Sequence, residues 1–156
     1  MAIQTSAGAV VAIGPATTAT DESALAGLSY VTIGKIETIS EIGPQSQDVT
    51  FTPLSGDDVQ HLKGATDNGA VVISMARDPL DAGQAALLAA SQTKLEYALR
   101  ITLADAADGN DTDSVYYVRG PVMSGRTNIG GANQVTMISY SVGCNVFIEV
   151  PSEAVS

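Results

Sequence analysis

Residues 95–103 read Leu95-Glu96-Tyr97-Ala98-Leu99-Arg100-Ile101-Thr102-Leu103, with a large apolar side chain at every second position. Successive side chains of a β-strand point to opposite faces, so this spacing places all the large apolar residues on one face. Short or polar residues occupy the other face. The stretch is the strongest strand signal in the chain.

The same period of two continues on both sides of this strand. Toward the C-terminus, three more strands are predicted over residues 115–123, 134–142 and 145–150, the first of them bent at Gly120-Pro121. Toward the N-terminus, three strands are predicted over residues 30–39, 48–52 and 71–77, with a slip at Gly34 that is typical of a β-bulge. The fold class is therefore mainly β, a β-sandwich or barrel with one flanking α-helix that covers one opening.

That helix is predicted over residues 79–92. Asp78 suits the N-cap because its carboxylate accepts the first free amide protons, and Pro79 suits the first helical position. Three leucines fall on one stripe among residues that are mostly Ala, which indicates a helix packed on a sheet through a narrow face. They are Leu80, Leu87 and Leu88.

Two segments depart from the regular pattern. Residues 1–28 are mostly Ala, Thr, Ser and Gly and predict an N-terminal arm that cannot build a core of its own. Residues 40–69 predict a long loop, and long loops inside compact domains tend to be functional. The β-sandwich domain is then expected over residues 29–150, followed by a short C-terminal tail over 151–156.

Composition bears on the class of partner. The 156-residue chain has 17 Asp and Glu against 7 Lys and Arg, a net charge of −10, and no two adjacent basic residues. Clustered Lys and Arg are what nucleic-acid phosphates attract, so a nucleic-acid-binding protein is excluded. Charged residues make up only 15% of the chain, against about 25% in ordinary soluble domains. Such a surface favours burial against other subunits, and so an oligomer.

The compartment follows from three absences in the sequence. The single Cys144 excludes an internal disulfide. The first basic residue is Lys35, so the positive region of a secretory signal is missing. The apolar stretch 7–16 is interrupted by Gly and Pro and is shorter than the roughly 20 residues of a membrane span. We expect a cytoplasmic product that does not contact membranes.

Few residues are candidates for catalysis or cofactor binding. His61 has no second His and no nearby Cys, so a histidine in solvent or at a subunit contact is the simpler interpretation. Cys144 is expected to be a small buried hydrophobe rather than a nucleophile. Phosphate-binding loops of the Gly-Lys-Ser type and Gly-x-Ser-x-Gly elbows are missing. We expect no cofactor and no enzymatic activity.

The acidic turn 105–113 is the one place where a metal ion has to be weighed. It carries Asp105, Asp108, Asp111 and Asp113. Its spacing does not fit an EF-hand, because the Gly is misplaced and no Glu closes the loop. A solvated hairpin tip is the main interpretation, and a calcium-dependent or hydrolytic enzyme that uses this turn remains the alternative.

A series of turns and strand ends in fixed order is more informative than any catalytic motif. The series comprises Glu37-Thr38-Ile39-Ser40-Glu41-Ile42-Gly43-Pro44, Asp48-Val49-Thr50, Leu62-Lys63-Gly64, Asp67-Asn68-Gly69, Arg77-Asp78-Pro79, Ala82-Gly83-Gln84-Ala85-Ala86-Leu87, Tyr117-Val118-Arg119-Gly120-Pro121-Val122 and Asn128-Ile129-Gly130-Gly131-Ala132-Asn133-Gln134-Val135. Over residues 30–148 this order resembles the tail tube proteins (major tail proteins) of long-tailed bacteriophages, including the lambda-like kind and their relatives in gene transfer agents.

The resemblance implies a β-sandwich with one helix that assembles as rings of six, stacked into a hollow tube through which DNA passes without specific binding. It also implies that the arm (1–22) and the long loop bridge neighbouring subunits and successive rings. The inter-ring candidates on this chain are Pro44, Asp57, Asp58, His61 and Lys63. The implied partners are the chain itself, a tape measure protein and a tail terminator. The implied location is the virion tail, with the host cytoplasm before assembly.

An acidic chain suits a bore that does not grip DNA. Glu37, Glu41, Asp48 and Glu96 are candidates to line the lumen, and solvation of the outer surface is an equally open interpretation of all four. A tail terminator or connector ring and a secretion-system tube subunit remain alternatives to the tail tube. Contractile and flexible tails both remain open.

Overall fold

The computed structural model describes residues 5, 7–106 and 111–152. Its elements, in chain order, are β1 (Val10–Ala16), α1 (Glu22–Ala26), β2 (Val31–Ile33), β3 (Ile36–Ile39), β4 (Gln45–Phe51), β5 (Gln60–Asp67), β6 (Ala70–Ala76), α2 (Ala82–Ser91), β7 (Glu96–Thr102), β8 (Val115–Asn128), β9 (Met137–Gly143) and β10 (Val146–Val150).

One long strand, β8, belongs to both layers of an antiparallel sandwich. Its first half pairs with β7 and β10, which gives a first sheet in the order β2-β1-β7-β8-β10. Its second half pairs with β9, which gives a second sheet in the order β8-β9-β6-β3. Gly120 lies where the strand changes layers, and a Cβ there would stand 1.5 Å from the Gly143 carbonyl oxygen. The predicted mainly-β sandwich is confirmed, and the strand predicted to bend at Gly120-Pro121 passes between the layers there without a break.

The alternation at residues 95–103 also holds, because Leu99 and Ile101 are buried between the sheets. The opposite face of the same strand is buried as well. Ala98 packs with Tyr117 and with Leu25 of α1 in a second apolar cluster. The first sheet is therefore covered on both faces.

The prediction of an N-terminal arm over residues 1–28 is wrong for the part that the structure describes. Val10–Ala16 forms β1, between β2 and β7, with Val11, Ala12 and Ile13 buried. Residues 1–28 are mostly small, but Val11 and Ile13 of β1 are among the largest fully buried side chains of the described residues. Asp21 caps α1 by accepting a hydrogen bond from the Ala24 amide at 3.0 Å.

The single flanking helix is present as α2 but begins later than predicted, and α1 was not anticipated. The N-cap is Asp81, whose carboxylate accepts the Gln84 amide at 2.9 Å. Asp78 instead accepts the Leu80 amide in the preceding turn. Leu87 is buried, whereas Leu80 and Leu88 are exposed, so the leucine stripe is only partly correct.

A buried glutamine fixes α2 to both sheets. Gln84 Nε2 donates to the Gly34 carbonyl at 3.1 Å and to the Ala76 carbonyl at 2.9 Å, and Oε1 accepts from the Asp78 amide at 2.9 Å. The chain passes from the first sheet to the second between β2 and β3, where Lys35 adopts a φ of 63°. The slip at Gly34 is thus a crossover between layers, and the bulge follows at Glu37.

Candidate assembly surfaces

Most of the predicted 40–69 loop is a regular two-stranded hairpin. β4 and β5 form a sheet of their own, separate from the sandwich. Val49 pairs with Leu62, and Phe51 pairs with Gln60. Because paired residues share a face, three large apolar side chains lie on one side of the hairpin. We call Val49, Phe51 and Leu62 its apolar face; they are 47%, 55% and 56% exposed.

The opposite side of the hairpin is polar. The register places Asp48 opposite Lys63 and Thr50 opposite His61, and these four residues form the polar face. The Asp48 carboxylate lies 2.8 Å from His61 Nδ1, and because an ionised carboxylate only accepts, the ring nitrogen donates. All four side chains are exposed.

The tip of the hairpin, residues 52–59, carries the most exposed large apolar residue of the described chain. Leu54 is fully exposed, beside a turn in which the Gly56 amide donates to the Pro53 carbonyl at 3.3 Å. Asp57 and Asp58 follow it and are also exposed. The predicted inter-ring residues thus lie at the tip, on the polar face and, for Pro44, at the base.

Two glycines flank the base of the hairpin. Gly43 has a φ of 137° and Gly69 a φ of 72°, values that side-chain-bearing residues rarely adopt. Just outside them the chain is anchored to the sandwich. Ser40 exchanges hydrogen bonds with Val72, and the Cys144 amide donates to the Gly69 carbonyl at 2.9 Å.

One side of the sandwich is left uncovered. Helix α2 packs on β2 and β8, whereas the side where β3 faces the ends of β7 and β8 carries no helix in the described chain. A cleft of about 410 Å³ opens there. We call it the apolar opening, after the residues that line most of it: Ile36, Ile39, Ile42, Ile101, Leu103 and Tyr116.

The predicted lumen acids lie on separate elements. Glu37 is exposed on β3, Glu41 is exposed at the hairpin base, and Asp48 is bound to His61 on the polar face. Glu96, at the start of β7, accepts a short hydrogen bond from the Asn145 amide group. Which residues face a lumen depends on how copies assemble, so the assignment of all four acids to the lumen stays a prediction.

Glu96 also has a partly buried basic neighbour. Arg119 Nη2 lies 3.8 Å from Glu96 Oε2, and Nη1 donates to the Ala19 carbonyl at 2.9 Å. Arg119 Nε is buried and has no hydrogen-bond partner among the described residues. Removal of Glu96 would leave this cation less compensated, which gives the acid a structural role. The sequence carried no signal for this pairing.

The described part of the acidic turn is held together by its own carboxylates. Asp105 accepts the Ser114 amide at 2.7 Å and its hydroxyl at 2.6 Å, and Asp113 accepts the Ala106 amide at 3.0 Å. The Ser114 hydrogen bonds hold the pKa of Asp105 below its ordinary value. Asp108 lies outside the described residues. Within residues 5, 7–106 and 111–152, no group of His, Cys, Asp and Glu side chains could hold a metal ion.

Cys144 is buried in the main core, as predicted. Burial raises the pKa of its thiol, which lowers the thiolate fraction and with it the nucleophilicity. None of the helices in the described residues has the length and apolar character needed to cross a membrane.

The fold is similar to those of proteins from phage tail tubes and contractile injection systems. No family model and no curated protein matches the sequence. A chain of the SPP1 tail tube superposes with a TM-score of 0.65 and 16% identity, over 92% of this chain and 76% of its own. A chain of the 6-fold symmetrised anti-feeding prophage baseplate superposes with a TM-score of 0.74 and 9% identity, over 97% of each chain. A chain from the sheath/tube terminator of an extracellular contractile injection system gives 0.67 and 13%, over 96% of this chain and 98% of its own.

The chain therefore has the tail tube fold, which it shares with structures of a phage tail tube and of contractile injection systems. The resemblance seen in the order of its turns and strand ends is confirmed at the level of fold. The lambda-like or gene-transfer-agent type is not distinguished by these likenesses.

Proposed function

We propose that the chain is a non-enzymatic structural subunit of a phage tail tube. Copies associate as rings of six, and the rings stack into a hollow tube that conducts DNA to the host. The tail tube fold supports this function, and the composition of the surface agrees with it, since only 15% of residues are charged.

The observation that carries the proposal is the two-faced hairpin. A two-stranded hairpin alone is marginally stable in water, and this one exposes Val49, Phe51 and Leu62 on a single face. A monomeric protein gains nothing from presenting such a face to solvent. Covering it with a further copy removes the apolar surface from water, and the polar face remains available to solvent or to ion pairs across a subunit boundary.

The net charge suits a conduit. Six copies at −10 each carry −60 per ring, and phosphates passing along an anionic wall are repelled within a Debye length of about 8 Å. Glu37, Glu41 and Asp48 are exposed acids that would line such a wall. DNA then passes without specific binding, while the tape measure protein and the tail terminator are the expected protein partners. The tube is part of the virion, and the chain awaits assembly in the host cytoplasm.

A tube terminator is the second candidate, and one observation favours it. The chain superposes over nearly its whole length on a sheath/tube terminator and on a tube-terminating cap, the latter with a TM-score of 0.67 and 12% identity over 97% of this chain. A terminator closes a ring in the same way but does not continue stacking.

Sedimentation velocity and negative-stain microscopy of the purified chain over a concentration series test the proposal. We expect a concentration above which long tubes with six-fold end views form. Closed single rings at every concentration would favour the terminator. A monomer that persists at the highest concentrations would overturn both.

A further inference from the structure

We propose that the apolar opening of one copy receives the hairpin tip of a second copy, with Leu54 inserted between Ile42 and Leu103. This inference rests on the proposed self-assembly and names the surface that the hairpin would contact. It follows from an apolar hole and an apolar knob that lie on different parts of the same chain.

The opening has the properties of a receptor for apolar side chains. Half of its lining residues are Ile or Leu, with Thr38 and Ser40 among the others and Glu37 as the only ionisable group besides Tyr116. At about 410 Å³ it exceeds the roughly 150 Å³ that suffices for a benzene-sized guest in an apolar cavity. A dry contact with one or two large aliphatic side chains fits this space.

The tip has the properties of the matching ligand. Leu54 is fully exposed and Val59 is half-exposed, so the tip keeps apolar surface in water in the isolated chain. The Pro53 to Gly56 turn presents Leu54 at the far end of the hairpin.

The chain's own tip is too far away to fill its own opening. Ile42 lines the opening, and β4 begins three residues later at Gln45. The seven residues of β4, at about 3.3 Å each, hold the tip about 20 Å from the base. A paired hairpin is too stiff to fold back on itself over that distance, so a hairpin tip that fills the opening has to come from another copy.

A knob and a hole on different surfaces make a head-to-tail contact. Repeated in one direction from copy to copy, such contacts continue into rings or filaments, depending on the rotation between copies. The pairing of tip and opening therefore produces the kind of assembly that a tube requires.

Engineered disulfides test this contact. In the Leu54→Cys/Ile42→Cys chain, mild oxidation after assembly is expected to give a ladder of covalent oligomers in non-reducing gels. The matched control is Leu54→Cys/Leu80→Cys, whose second site is 93% exposed and lies before α2; it should give no ladder. The native Cys144 is retained in both chains, because it is buried.

A second measurement separates this contact from assembly in general. Leu54→Ala and Ile42→Ala are each expected to raise the assembly concentration about tenfold. The double variant should raise it little further, because both changes remove one contact.

The outcomes are distinguishable. Tubes that form without a Leu54→Cys/Ile42→Cys ladder, or single variants whose effects simply add, overturn this inference and leave the proposed function standing. An intramolecular disulfide in an Ile3→Cys/Ile42→Cys monomer would also overturn it, because the opening would then hold the chain's own N-terminus. Absence of any assembly overturns both.

Discussion

The apolar face of the hairpin gives a quantitative prediction. Phe51 and Leu62 are 55% and 56% exposed in the isolated chain. Full burial of such a side chain contributes about 1.5–3 kcal/mol, so covering the exposed half contributes about 1 kcal/mol for each. The Phe51→Ala/Leu62→Ala chain should lose about 2 kcal/mol per subunit contact. This loss corresponds to an assembly concentration raised roughly 30-fold.

The matched control lies on the other face of the same two strands. Thr50→Ala truncates the one polar-face side chain that is a candidate neither for the lumen nor for an inter-ring contact, and it leaves the apolar face intact. Pelleting assays over a concentration series, with circular dichroism to verify that each monomer melts as the wild type does, measure both variants. An unchanged assembly concentration for the apolar double variant, or an equal shift for the polar one, would refute the argument.

Three further predictions concern the sandwich itself. Gln84→Leu leaves three backbone partners of the buried amide unpaired and should cost about 3–5 kcal/mol in urea unfolding, whereas the exposed Gln92→Leu should cost less than about 0.5 kcal/mol. Burial raises the pKa of Tyr30 to about 12, so the unfolded state loses its phenol proton first and stability falls as the pH rises above 10. Tyr30→Phe, which also loses the hydrogen bond to α1, should be about 1 kcal/mol less stable at neutral pH, with a smaller deficit at high pH in thermal melts. Ser114→Ala should let the pKa of Asp105 rise toward its ordinary value in an NMR titration. Because the wild-type pKa is lowered, the contact stabilises the fold at pH values above the ordinary pKa of Asp, and this stabilisation is lost in acid. The free energies of unfolding of the two chains should therefore converge at low pH.

The sheet was predictable from the sequence because its strands alternate strictly. Within residues 95–103, Leu99 and Ile101 are buried in the main core and Tyr97 packs against it, so the pattern in the sequence and the packing agree at the centre of the strand. The alternation could not show that Ala98 is buried too. An alanine on the nominally polar face gives no indication in the sequence that the short helix α1 packs against it.

The main errors arose where tertiary contacts replace local signals. Residues 1–28 are mostly small, so the burial of Val11 and Ile13 follows from the place of β1 between β2 and β7 and not from the local composition. Asp78 and Asp81 are equally good caps locally. The choice of Asp81 follows from the Gly34 amide, which also donates to the Asp81 carboxylate at 3.2 Å, across a crossover that the sequence does not reveal.

Residues 40–69 were predicted as one long loop, whereas most of them form a hairpin. Residues 40–69 were expected to mediate contacts, yet the second strand of the hairpin was predicted as a loop because Gly64 and the Asp67-Asn68-Gly69 turn signal lie within or beside it. Leu62 stands alone among them, and its significance depends on being paired with Val49 across the hairpin. The signal available in the sequence was the parity of the large apolar residues. Val49 and Phe51 lie at odd positions and Leu62 at an even one, which agrees with a hairpin that pairs Val49 with Leu62.

The order of the elements along the chain matters during synthesis. The hairpin is complete at residue 67, whereas the last strand of the first sheet ends at residue 150. At a synthesis rate of about 5–20 residues per second, the hairpin with its apolar face is complete roughly 4–17 s before the last strand of the sandwich has been synthesised. Repulsion between strongly acidic chains, each with a net charge of −10, opposes aggregation of unfinished chains through this exposed apolar face.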